Sequence, residues 1–176
     1  MQRRPAGKFF VEQLVNYLRS MWAFRVIRRA DYGGAWAFIW RITIQHYLVQ
    51  AVVVLAMDML VSGAWSDRSG IIQKLRESPL FLVVAASLET VFLQTVPIEF
   101  MRALRRSRWN QFVAGAALFM VAHLADGIGV GIAAGLVGGA YYSHVYLECR
   151  DQPWWVASFV TASAHALHNA IAVYVF

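Results

Sequence analysis

PLFLVVAASLETVFLQTVPIEFM, residues 79–101, carries only Glu89 and Glu99 as ionisable side chains in an otherwise apolar run. An α-helix needs about 20 consecutive apolar residues to cross the hydrocarbon of a bilayer. This stretch meets that length, and a soluble core helix is rarely so long and so bare. Outward from it, the same pattern recurs. A first apolar span covers roughly 36–64, a third about 109–125, a glycine-rich fourth runs from the Asp126 and Gly127 turn to about 147, and a fifth covers about 154–176. The chain of 176 residues is 59% hydrophobic and 15% charged, with a mean hydropathy of +0.49, outside the range of an ordinary soluble domain. The expected fold is all-α: a polytopic membrane helix bundle of about five transmembrane helices, preceded by an N-terminal amphipathic or basic segment.

That leading segment, 1–35, holds Arg3, Arg4, Lys8, Arg19, Arg25, Arg28 and Arg29. It lacks the compact apolar stretch and small-residue cleavage site of a secretory signal. Phe9, Phe10, Leu14, Leu18, Trp22 and Phe24 alternate with the bases at roughly helical spacing, which suits a helix lying on an anionic leaflet. Basic loops stay cytoplasmic. An inside N-terminus puts its seven bases with Arg102, Arg105, Arg106, Arg108 and Arg150 on the cytoplasmic side, and leaves Arg68, Lys74 and Arg76 opposite. The reading is therefore a multi-pass protein of a cell membrane, in the manner of a bacterial inner membrane, with its N-terminus cytoplasmic. The transmembrane domain is 36–176. The inner-leaflet bases account for the net charge of +6, so nucleic acid is not invoked. The single cysteine, Cys149, can form no internal disulfide.

Ionisable and amide side chains inside a membrane are costly and mark function by default. Glu89, His123, His165 and Asn169 lie on three different spans. Counted from the cytoplasmic ends of those spans at 1.5 Å per residue, they fall in one layer, about 15–21 Å deep. His165 and Asn169 are four apart and share a helical face. His46, Asp58, His144 and His168 are weaker candidates. In the fourth span Gly127, Gly131, Gly135 and Gly139 recur every fourth residue, a stripe that admits another helix backbone closely. Packing within the bundle is its first expected use, and a homodimer contact the second.

These residues resemble the signatures of the CAAX-protease and bacteriocin-processing family of intramembrane glutamic proteases: Glu-Glu-x-x-x-Arg, then Phe-x-x-x-His, then His-x-x-x-Asn or Asp. The chain offers Glu89-Thr90-Val91-Phe92-Leu93-Gln94, Phe119-Met120-Val121-Ala122-His123 and His165-Ala166-Leu167-His168-Asn169. Thr90 stands where the family has its second glutamate, and Gln94 where it has arginine. The resemblance covers about 79–176, the protease-like core. It implies a catalytic set in which Glu89, assisted by His123, activates a water against a peptide carbonyl, while His165 and Asn169 donate hydrogen bonds to the oxyanion. It implies no cofactor and no metal, and a peptide or membrane-protein substrate, lipidated or not, reached within the lipid bilayer.

Two further readings stand beside this one. A catalytically inactive relative would bind a membrane-protein partner as an assembly or immunity factor. Alternatively, the glutamate and histidines would hold a zinc ion with an open water position, although no contiguous His-Glu-x-x-His string is present.

Overall fold

The structure is a computed structural model that describes residues 34–60 and 78–174. The basic N-terminal segment and the segment carrying Arg68, Lys74 and Arg76 lie outside the described residues. The chain divides into two compact units, Met1–Phe38 and Ile39–Phe176. Of the first, only the start of a helix is described, so the architecture below is that of the second.

Five helices make up the described residues: α1 (Ala35–Leu60), α2 (Pro79–Ala103), α3 (Arg108–Leu124), α4 (Ile128–Glu148) and α5 (Trp154–Tyr174). Four of them, α1, α2, α4 and α5, are long and apolar enough to cross a membrane. The protein is thus a multi-pass membrane protein with an all-α bundle. Helix α3, with 17 residues, is shorter, at about 25 Å. The surface agrees with a lipid environment. Phe92, Phe159 and Leu80 are 61%, 70% and 73% exposed, whereas polar side chains such as Gln94, Thr90 and Thr161 are fully buried. In lipid this inversion is expected, because helix association rests on close packing and interhelical hydrogen bonds rather than on hiding apolar surface.

Short connections make α2 to α5 consecutive neighbours. Helix α2 opens on Pro79 after Ser78, where proline's missing N–H and fixed φ are harmless. It closes through Arg105, whose φ is 53°. Helix α3 begins at an N-cap, Ser107, whose hydroxyl accepts from the Asn110 N–H at 3.2 Å, satisfying one of the orphan donors of a helix start. Gly127, with φ 111°, makes the turn into α4, a conformation that penalises any side chain.

The glycine stripe of α4 packs inside the bundle. A Cβ on Gly135 would stand 2.8 Å from Met120 Cα, and one on Gly139 2.9 Å from the Ala116 carbonyl oxygen. These contacts are with α3 backbone, so the first expected use of the stripe is the one observed. On α3, a Cβ at Gly115 would meet Ser143 Oγ at 2.5 Å and Gln94 Oε1 at 2.7 Å. Polar bonds then tie the helices: Ser143 Oγ donates to Gln94 Oε1 at 2.6 Å, Thr95 and Ser158 hydroxyls meet at 2.8 Å, and Tyr146 donates to Glu99 at 3.0 Å. Arg108 holds both the Leu147 carbonyl and the Glu148 carboxylate. Each such bond between membrane helices contributes about 0.6–2 kcal/mol.

Candidate active site

Glu89 ends the regular first half of α2, and the six residues after it, Thr90–Thr95, form a π-helical segment. The cause is close by. Pro97 has no N–H to give, and its ring crowds the carbonyl of the preceding turn. The ladder widens instead, with the Val96 N–H reaching back five residues to the Val91 carbonyl. Widened turns of this kind occur often at functional sites. The extra residue lets Thr90, Gln94 and Thr95 all face the interior, beside Glu89.

Two imidazoles from two other helices meet the Glu89 carboxylate. His165 Nε2, on α5, lies 3.6 Å from Glu89 Oε2, and His123 Nε2, on α3, lies 4.0 Å from the same oxygen. The side chains differ in exposure: 4% for His165, 18% for His123 and 38% for Glu89. The carboxylate is therefore open on one side, with histidines on the other.

Each histidine is oriented through its second nitrogen. His123 Nδ1 lies 2.9 Å from the Phe119 carbonyl, one turn earlier. A carbonyl can only accept, so Nδ1 carries the proton, and in the neutral ring Nε2 is a bare acceptor. His165 Nδ1 stands 3.4 Å from the Thr90 hydroxyl. Rings hold both in place. Phe119 stacks on His123 at 4.5 Å and meets His165 edge-on at 5.5 Å. Tyr142 stacks on His165 at 4.3 Å. The helix-packing glycines reach this site too, since a Cβ on Gly135 would come within 3.0 Å of His123 Cβ.

A consequence follows from the tautomer. The carboxylate oxygen of Glu89 and the bare Nε2 of His123 are two acceptors facing each other across 4.0 Å. That spacing would admit a single water between them, donating one hydrogen to each from about 2.8–3.0 Å.

Of the four residues expected from the sequence, three come together: Glu89, His123 and His165. Asn169 lies half-buried one turn beyond His165 on α5, and no hydrogen bond joins it to the other three. The two positions that depart from the family signatures have structural employment. Thr90 is the partner of His165, and Gln94 is completely buried against Ser143. Arg102 pairs with Glu99, at 3.2 Å, rather than with Glu89. Tyr142 has no linear signal that announces its place over His165, whereas the Phe119 stack follows from its spacing of four to His123. Among the described residues, no three or more His, Cys, Asp or Glu side chains are grouped so as to hold a metal ion.

Comparison with known proteins finds no matching family model, no matching curated protein and no matching solved structure. The functional reading therefore stands on the residues themselves.

Proposed function

We propose that the chain is an intramembrane peptidase of the kind its three signatures resemble, hydrolysing a peptide bond of a membrane-borne substrate with water activated at Glu89. The observation that carries this reading is the convergence of two imidazoles on one carboxylate oxygen, His123 Nε2 at 4.0 Å and His165 Nε2 at 3.6 Å from Glu89 Oε2. Glu89 takes the proton of the water as its oxygen attacks the carbonyl carbon. His123 holds the second hydrogen and so aims the oxygen lone pair. His165, beside the carboxylate and braced by Thr90, is set to donate to the oxyanion as it forms. Asn169 joins that role only if substrate draws its amide toward His165. The arginine and lysine asymmetry supports a cytoplasmic N-terminus.

The test is cleavage of a panel of membrane-inserted and lipidated peptides in liposomes by native protein and by Glu89→Gln. General-base removal costs about 10²–10⁴-fold in rate, so the variant should fall by that factor while keeping its helix content. The substitutions at the first signature, Thr90 and Gln94, favour a second reading as an inactive binding factor. Equal binding of a partner by both proteins, with no cleavage above the Glu89→Gln background, would select it.

A further inference from the structure

The candidate site does not sit midway along its helices. On α2, Glu89 is nearer the Pro79 end than the Ala103 end, at about 15 Å against about 21 Å. On α3, His123 is the last residue but one, so the helix ends beside the carboxylate and the turn at 125–127 follows at once. The antiparallel neighbour of α2 therefore stops where the site begins. Packing follows the same division: the part of α2 after Glu89 lies along α3, whereas Pro79–Glu89 lies along α5.

Toward Ala103 the interior is closed. Gln94, Ile98 and Tyr146 are wholly buried, and a Cβ on Gly115 would meet Ser143 Oγ, Gln94 Oε1 and Ile98 Cδ1 all within 3.2 Å. That layer leaves no passage for a peptide. Toward Pro79 the carboxylate keeps 38% of its side chain open, and Leu88 on α2, Leu124 and Ala125 at the end of α3 and Ile128 at the start of α4 are exposed. One turn before Glu89 and on its face stands Ala85, a methyl where a larger side chain would crowd an extended chain approaching the carboxylate.

The length of α3 adds a second argument. Its 17 residues cover about 25 Å, against about 30 Å of hydrocarbon. The turn at 125–127 thus stops short of the far boundary. Non-helical backbone at membrane depth is tolerated where it is buried in protein or lines a water-filled space. Ala125 is exposed, so the second condition applies, and water that follows this turn inward arrives at His123.

We infer that the site is reached from the face opposite the arginine-rich turn between α2 and α3, through a water-filled notch between the first half of α2 and the α3–α4 turn, and that it takes peptide bonds lying near that face. The notch stands on helix lengths and packing; the peptide bond rests on the hydrolytic reading. A bond so placed belongs to a chain that enters or leaves the bilayer on the side away from the arginines. The tail of a protein anchored in the arginine-side leaflet would instead have to pass about 21 Å of packed interior.

The experiment is side-selective thiol labelling of the full chain in sealed vesicles, with Cys149→Ala removing the native thiol and a charged, membrane-impermeant reagent applied to one side at a time. Arg105→Cys marks the arginine side. Glu89→Cys, at the floor of the notch, should react from the opposite side only, and Ala85→Cys on its wall repeats that reading should Glu89→Cys not fold. Modification from the arginine side, or none at either position while Ala125→Cys reacts, would overturn the notch. Any peptide of the liposome panel that is cut should be broken on its Ala125 side, as mass spectrometry of the fragments will locate. Breaks on the arginine side would overturn the substrate assignment. A notch that labels as expected in a protein that cuts nothing would refute the peptidase reading and leave the notch standing.

Discussion

The polar cluster at Glu89 and the stack at His46 occupy neighbouring parts of one bundle and are built on opposite plans. At Glu89, each histidine has a partner for its second nitrogen, and the carboxylate keeps 38% of its surface open. At His46, both ring nitrogens go without partners, and the rings are enclosed by tyrosines. An oriented, accessible group can meet a substrate. An enclosed one cannot. The contrast extends to the helix behind them, because α4 packs backbone against α3 near His123 but leaves ordinary side-chain spacing near His46.

The largest effect that would break this comparison belongs to His123. If its bare Nε2 holds the attacking water, His123→Ala should lower cleavage by about a hundredfold or more. In contrast, His123→Gln, which can still accept a hydrogen bond, should recover part of that loss. Turnover of the two variants on one substrate checks this, and equal losses would deny the acceptor role.

A pair of glycine substitutions separates the two regions by stability. At Gly135 an added methyl would meet Met120 Cα at 2.8 Å, backbone that cannot swing aside, so Gly135→Ala should cost about 1–3 kcal/mol and displace His123. At Gly138 the nearest atoms are Tyr142 Cε2 at 3.4 Å and His46 Cε1 at 3.5 Å. Gly138→Ala should therefore be neutral, or more stable by up to about 1 kcal/mol through helix propensity. Thermal unfolding in detergent compares them. Smaller still is Thr90→Val, which removes one hydroxyl from His165 and should cost about 1 kcal/mol, roughly fivefold in rate, without changing substrate binding.

Much of this was legible in the sequence, and for physical reasons. The apolar runs announced the helices because a bilayer demands length and the absence of charge, and the four-residue glycine period announced a close helix contact within the bundle, though not which helix makes it. Glu89, His123 and His165 stood out because each is expensive in its setting. What escaped notice depended on three-dimensional encounter. The π segment set off by Pro97 changes which residues face inward, and no periodicity shows it in advance. Thr90 reads as the loss of a glutamate until His165 is seen beside it. His46 read as a weak candidate on a span outside the family resemblance, since nothing in its own helix reveals that His168 and Tyr142 meet it from two others.

The most direct test of the account is a double-variant cycle for cleavage at Glu89 and His165, measured on one substrate in liposomes. If the two groups act on a single activated water and its oxyanion, Glu89→Gln and His165→Ala should each bring the rate near background, and the double variant should be hardly slower than Glu89→Gln alone. Losses that simply multiply, or a Glu89→Gln protein that cleaves at the native rate, would contradict the claim that these helices converge on one catalytic carboxylate.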